Sequence, residues 1–175
     1  SSRFRRGLRR SPWRVRADTA FEQVIDACAK APRPGQRGTW ITPGMRDAYV
    51  ALHHLGHAHS IEVFDGAVLV GGLYGVAIGR MFFAESMVSL ASGGSKVALA
   101  GLAHRLHGWG HPLIDAQVEN DHLLRLGARS MPRDAFLDAV RALVLDGGPA
   151  GAWTGAFGDW PACALAGSRG SASRA

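Results

Sequence analysis

Two short apolar segments carry the residues best suited to chemistry. Arg80-Met-Phe-Phe-Ala-Glu-Ser-Met-Val-Ser89 holds Glu85, and Pro112-Leu-Ile-Asp-Ala-Gln-Val-Glu-Asn120 holds Asp115 and Gln117. Both segments read as buried strands. A carboxylate buried without a partner is costly, so Glu85 and Asp115 are expected to be paired, hydrogen-bonded or functional. On a strand, Asp115 and Gln117 would point to one face. A carboxylate beside an amide, with a second carboxylate on another strand, can position a nucleophile and handle its proton.

The elements that must position these residues follow from local patterns. Thr19-x-x-Glu22 reads as a capping box opening a helix over Phe21 to Lys30. Ala31 to Gly38, with two prolines and two glycines, reads as a loop. Thr42-Pro43 starts the next helix and Gly56 closes it. Ala58 to Phe64 alternates as a strand, Asp65-Gly66 is a hairpin turn, and Ala67 to Gly79 returns as a second strand. Gly71, Gly72 and Gly75 inside that strand mark a bulge or a close approach. Arg80 to Ser89 is the third strand of an antiparallel meander. A glycine-led helix then runs from Gly93 to about Trp109. The phosphate-loop pattern is absent there, so Gly93-Gly94 reads as a plain turn. Leu113 to Val118 is the fourth strand, parallel to its neighbour because a helical crossover precedes it. A short helix over Asn120 to Arg125, a brief strand near Ala128 and an amphipathic helix over Pro132 to Leu145 complete the ordered part. The Gly-, Ala- and Ser-rich remainder reads as a loose tail.

Composition sets outer bounds. The 175 residues are 47% hydrophobic with a formal net charge of +6, which suits one domain with a real core and favours an acidic partner such as nucleic acid. No apolar run is long enough for a membrane span. Two cysteines, Cys28 and Cys163, make no disulfide framework, and a reducing cytoplasm is the default. Arg3, Arg5, Arg6, Arg9 and Arg10, with Arg14 and Arg16, precede the first acidic residue, Asp18, and Phe4 and Trp13 lie among them. Arginines offer phosphate contacts and aromatics offer stacking faces, so this arm is a candidate RNA contact; a solvated arm or a transit peptide has the same composition. The run His53-His-Leu-Gly-His-Ala-His59 has no third ligand at metal spacing, and Gly56 breaks its helical register. A structural role at a helix C-terminus is expected for it, with no metal.

Trp40-Ile-Thr-Pro43, Leu55-Gly-His-Ala-His-Ser-Ile-Glu-Val63, Leu69-Val-Gly-Gly-Leu-Tyr-Gly-Val76, Glu85-Ser-Met87, Ser95-Lys96, Leu113-Ile-Asp-Ala-Gln-Val118 and Leu126-Gly-Ala-Arg129 occur in this order. Together, across Arg3 to Leu145, they resemble the bacterial leucyl/phenylalanyl-tRNA–protein transferases. The resemblance implies an α/β (α+β) fold: an N-acetyltransferase-like mixed sheet flanked by helices, with a basic N-terminal segment and a loose C-terminal tail. It implies a division into residues 1–38 (basic arm and helix, the remnant of a truncated N-terminal region), 39–146 (catalytic domain) and 147–175 (low-complexity tail). The chain begins at Ser1 without Met, which fits a fragment.

The implied reaction is transfer of Leu or Phe, or Met, from aminoacyl-tRNA to the α-amine of proteins beginning with Arg or Lys. The product would be marked for degradation by the N-end rule. No cofactor is implied, and the enzyme would be a cytoplasmic monomer. By the resemblance, Gln117 contacts the attacking amine, Asp115 orients Gln117 or draws off the proton, and Glu85 holds the cationic acceptor or the nucleophile. Trp40 lies near the site, Leu73, Phe82 and Leu106 line an apolar donor pocket, and Asn120 is a further site residue. Ala84, Val88, Leu90 and Ala116 depart from the family pattern. Two other readings stand beside this one. A CoA-dependent N-acyltransferase would need a Gln or Arg leading its pyrophosphate loop, where this chain has Leu90-Ala-Ser-Gly-Gly-Ser95. A non-catalytic RNA-binding module would need the arginines but not Asp115.

Overall fold

The computed structural model describes residues 2–32 and 38–167. Most of the loop expected over Ala31 to Gly38, and the last residues of the tail, lie outside them. Among the described residues a six-stranded mixed sheet is covered by helices on both faces. Its strands are β1 (Arg14–Ala17), β2 (Ala58–Asp65), β3 (Val68–Ile78), β4 (Met81–Ser89), β5 (Leu113–Asp115) and β6 (Trp160–Pro161), in the order β5-β4-β3-β2-β1-β6. The helices are α1 (Ser2–Arg10), α2 (Phe21–Lys30), α3 (Pro43–His54), α4 (Gly94–Gly108), α5 (Asp121–Leu126), α6 (Arg133–Leu143) and α7 (Thr154–Phe157).

The expected meander is present. β2 and β3 pair with a two-residue connection after Asp65. β3 and β4 pair antiparallel, and α4 carries the chain over to β5, which lies parallel to β4. Thr42 caps α3 by accepting the Met45 N–H, with Pro43 at the first helical position. Gly56, at φ +77°, ends that helix in the left-handed region.

The glycines of β3 are explained by backbone crowding. A Cβ on Gly71 would collide with the backbone of Gly94, and one on Gly94 with the Val70 carbonyl. The start of α4 therefore sits directly on β3. The glycine pair at that turn is a packing requirement, which fits the plain-turn reading.

Each face of the sheet has its own core. On one face α4, α7 and residues 160–166 cover Ile61, Val63, Leu73, Phe82 and Ala84. On the other, Phe21, Val24, Ile25 and Cys28 of α2 pack with Ile41, Ala58, Tyr74 and Val88.

Four expectations are corrected. The arginine-rich segment is a helix followed by a strand, because Leu8 is buried and Arg14–Ala17 alternates half-buried and buried residues against β2. The capping box does not form: Ala20 stands at the N-cap of α2 without a side-chain bond, because the Thr19 hydroxyl and N–H are drawn to Glu62. No strand forms near Ala128, where the chain leaves α5 through Gly127 in the left-handed region. Residues 147–167 are not a loose tail. Trp153, Phe157 and Ala162 are fully buried, and β6 extends the sheet beside β1. These apolar side chains remove enough area from water to hold a segment that has no periodic pattern of its own.

Candidate active site

Glu85 and Asp115 reach one face of the sheet from neighbouring strands. In β4 the register jumps, with Tyr74 opposite Ser86 and Gly75 opposite Ala84, so Glu85 is the unopposed residue of a bulge. A bulge re-aims a side chain that the regular pleat would place elsewhere. Glu85 meets Tyr49 of α3, whose phenol is pushed up to about 12 by burial and by the adjoining Glu85 carboxylate. Tyr49 therefore keeps its proton at neutral pH and can donate to that carboxylate.

Asp115 is the last residue of β5 and lies beside Phe83. Its predecessor Ile114 packs into the α4-side core, so by alternation Asp115 turns to the α2–α3 side. Beyond this pair β4 runs on to Ser89 while β5 leaves the sheet. Glu85 thus stands where the two strands part. Both carboxylates are half-buried, so neither has to be neutralised by a deep partner.

Gln117 is not where a longer strand would put it. The Asp115 Oδ1 accepts the Gln117 backbone N–H at 2.8 Å, which closes a tight turn of the kind aspartate side chains favour. Gln117 takes φ +67°, a left-handed conformation uncommon outside glycine. The strand therefore ends at Asp115, and the two side chains do not share a strand face. Gln117 is exposed at the turn, held by the backbone bond to Asp115. Asn120 closes the same excursion: its side-chain oxygen accepts the Leu123 N–H at 3.0 Å as the N-cap of α5, and its amide donates to the Val118 carbonyl at 3.3 Å.

Trp40 is 41% exposed and lies edge-on to Tyr49 at 6.2 Å, and Tyr49 lies edge-on to Tyr74 at 5.1 Å. An aromatic series therefore runs from the surface to the core beside Glu85. Leu73, Phe82 and Leu106 lie together on the opposite face, all fully buried in the α4-side core. The structure brings Glu85, Asp115 and the Trp40–Tyr49 pair to one face, and leaves the three apolar residues beneath the sheet from them.

Sequence reasoning missed the most deeply buried polar groups. Asp18 has a fully buried carboxylate that accepts the His59 ring at 2.8 Å, the Ser60 N–H at 3.0 Å and the Trp153 N–H at 2.7 Å. The His59 ring stacks on Trp153 with 3.8 Å between centroids. Glu62 is fully buried alongside, bonded to the hydroxyls of Ser60 and Thr19. Burial pushes it up to about 7 against those bonds, and the Asp18 charge adds to the rise. The one available signal was a pair of acidic residues flanked by serine and threonine in an otherwise apolar context. His53 lies on the other side of the Asp18 carboxylate, with its Nδ1 3.8 Å from the Asp18 Oδ1; it bonds the Ala58 carbonyl at 2.9 Å and stacks on Phe21. Among the described residues no three His, Cys, Asp or Glu side chains gather as a metal site.

The arginines Arg3, Arg5, Arg6, Arg9 and Arg10 are all exposed on α1. Arg5, Arg6 and Arg9, with Ser2, ring a shallow cavity of about 520 Å³. No helix among the described residues is long and apolar enough to cross a membrane.

A mixed α/β sheet with a carboxylate on a bulge, a second at the end of a parallel edge strand and a basic helix beside it is thus the frame of the molecule. A family model described as leucyl/phenylalanyl-tRNA protein transferase matches residues 1–141. A leucyl/phenylalanyl-tRNA–protein transferase of Xanthomonas euvesicatoria pv. vesicatoria is 68% identical over 165 residues, which is 94% of this chain and 66% of the relative. Proteins of the same description from Xanthomonas campestris pv. campestris and Xylella fastidiosa are 64% and 62% identical, over 97% and 91% of this chain and 68% and 65% of their own lengths. The chain belongs to the leucyl/phenylalanyl-tRNA–protein transferase family. It spans about two thirds of the length of these relatives.

Proposed function

We propose that this chain transfers leucine or phenylalanine from an aminoacyl-tRNA to the α-amine of proteins that begin with Arg or Lys. The observation that carries the reading is the Asp115–Gln117 turn beside Glu85, in a chain of this family. The amine attacks the carbonyl carbon of the aminoacyl ester. The carbon–oxygen bond to the ribose breaks, the peptide bond forms, the amine loses its proton and the ribose oxygen gains one. The ester is already activated, so orientation and proton handling are the main tasks.

The Gln117 amide is a poor base. Its carbonyl oxygen can accept a hydrogen bond from the attacking amine and aim it, while the Asp115 carboxylate fixes the turn and takes up the positive charge that develops. Glu85, oriented by Tyr49, attracts the cationic end of the acceptor. Trp40 offers an aromatic face at the rim. The apolar donor side chain enters where β4 and β5 part, toward Phe82, Leu106 and Leu73. These three are fully buried in one core, so entry requires them to separate. The α1 arginines hold the RNA backbone. Such a protein would act in the cytoplasm, as a monomer, and its products would enter N-end-rule degradation.

The test is transfer of labelled leucine from leucyl-tRNA to a peptide beginning with Arg, with a Gly-initiated peptide as control. Transfer to the Arg peptide alone is the expected result. Normal turnover by an Asp115→Ala variant would overturn the assignment.

A further inference from the structure

Phe82, one of the three residues toward which the donor side chain enters, is boxed in. Its ring lies across Gly75 of β3, where a Cβ would come within 2.6 Å of its Cε1 and 2.7 Å of its Cζ. Backbone therefore closes that side. On another side stands the Trp153 indole, with 5.8 Å between ring centroids and 39° between planes. Trp153 is fully buried and is itself held from several directions. His59 stacks on it at 3.8 Å, and Trp109 meets it edge-on at 5.0 Å. Its backbone N–H donates to the buried Asp18 carboxylate at 2.7 Å, and its indole N–H reaches the Pro149 carbonyl at 3.5 Å. Ring pairs and buried hydrogen bonds of this kind fix where a side chain sits as well as burying it. Trp109 stands at the C-cap of α4, three residues after Leu106, so the wall that carries Leu106 also carries a contact to Trp153. When Leu73, Phe82 and Leu106 separate, Phe82 cannot retreat into Gly75. The boundary left to it is Trp153.

We propose that Trp153 is the floor of the donor pocket and sets how large a donor side chain is accepted, with Asp18 and His59 as the residues that position it. This rests on the reading that Phe82, Leu73 and Leu106 receive the donor side chain. The floor then comes from the C-terminal segment, not from the sheet or α4. An apolar space opened inside a core stays dry and takes an apolar group, so a smaller residue in place of Trp153 favours the longer phenylalanyl side chain over the leucyl one. Hydrophobic pockets discriminate by roughly tenfold or more for each methylene of fit.

The experiment measures, by calorimetry, binding of leucyl-adenosine and phenylalanyl-adenosine in which an amide replaces the ester, so that nothing is transferred. The readout is the ratio of the two affinities, which a loss of folded protein alone leaves unchanged. Trp153→Leu should raise the phenylalanyl-to-leucyl ratio about tenfold. Trp153→Phe, which disturbs the core less, should raise it in the same direction by less. Asp18→Asn should act likewise. Asparagine tolerates the left-handed backbone that Asp18 adopts at φ +58°, but it has one oxygen for the Ser60 and Trp153 N–H groups, which each bond a separate oxygen of the carboxylate. Phe157→Leu, in the same core with its ring against Trp160, is the control and should leave the ratio unchanged. If Phe82→Ala shifts the ratio and neither Trp153 variant does, the floor is refuted and the donor pocket stands. If Phe82→Ala does not shift it either, the donor side chain lies elsewhere and both fall. Both also fall if the unaltered chain binds neither ligand.

Discussion

Replacing Glu62 by glutamine tests the buried network most directly. Glu62 sits fully buried between the Ser60 and Thr19 hydroxyls, with the Asp18 carboxylate nearby. Burial raises it from an ordinary 4.5 to about 7. The folded protein therefore holds a proton on Glu62 at pH values where the unfolded chain has released it. Where the folded state binds more protons, stability falls as pH rises. The loss begins near pH 4.5 and is complete just above pH 7, the reverse of the usual salt-bridged carboxylate. At about 1.4 kcal/mol for each tenfold change, the full effect is roughly 3 kcal/mol, and most of it falls between about pH 5 and pH 8. Glutamine has the same shape and keeps an oxygen for the Thr19 and Ser60 donors, and those hydroxyls can turn to accept from its amide. Urea unfolding of both proteins across that range should show Glu62→Gln gaining on the wild type by roughly 2–3 kcal/mol as pH rises. Parallel stability curves would show that Glu62 is ionised in the folded protein throughout, and the argument from burial would fail.

Trp153→Ala should cost about 3–5 kcal/mol in unfolding free energy, because the fully buried indole leaves a cavity beside Phe82, Trp109 and His59; a loss under about 1 kcal/mol would mean the C-terminal segment is not docked. Gly7→Ala on α1 has open space around it and should raise the melting temperature slightly, by the helix preference of up to about 1 kcal/mol. Gly94→Ala should instead lower it by several degrees, since the added methyl group meets the Val70 carbonyl.

Much of this fold was legible because its signals are local. The hairpin at Asp65-Gly66, the cap at Thr42-Pro43, the stop at Gly56 and the crossover helix before β5 each depend on a few adjacent residues, and each is present. What was not legible depends on distant partners. Trp153 is fixed by Asp18, 135 positions away, and nothing near Trp153 in the chain announces that bond. In β1 the two-residue alternation Arg14-Val15-Arg16-Ala17 was present, but the density of arginines around it suggested an arm. β2 is buried from Ala58 to Phe64 on both faces, so alternation could not single out Glu62 as the carboxylate inside. Glu85 and Asp115 were expected to be the costly buried charges. The bulge in β4 and the end of β5 put both at the margin of the core, and the deep positions belong to Asp18 and Glu62.

The ending of β5 also changes what Asp115 must be asked to do. Its carboxylate holds the Gln117 N–H and so sets a left-handed residue at the turn; charge is not needed for that, because an asparagine oxygen accepts the same bond and asparagine favours the same turn. Asp115→Asn therefore keeps the geometry and removes the charge, whereas Asp115→Ala removes both. If Asp115 serves only to aim Gln117, the asparagine variant should retain transfer within about tenfold of wild type, and the alanine variant should lose it. If the carboxylate also stabilises the ammonium that forms on attack, both variants should lose transfer by roughly a hundredfold or more, as expected for removal of a group that handles the proton. The second outcome is expected, since a glutamine amide cannot take the proton and Asp115 is the carboxylate bonded to its backbone. A fully active asparagine variant would move the proton-handling role to Glu85, whose Tyr49 partner would then be the next residue to change.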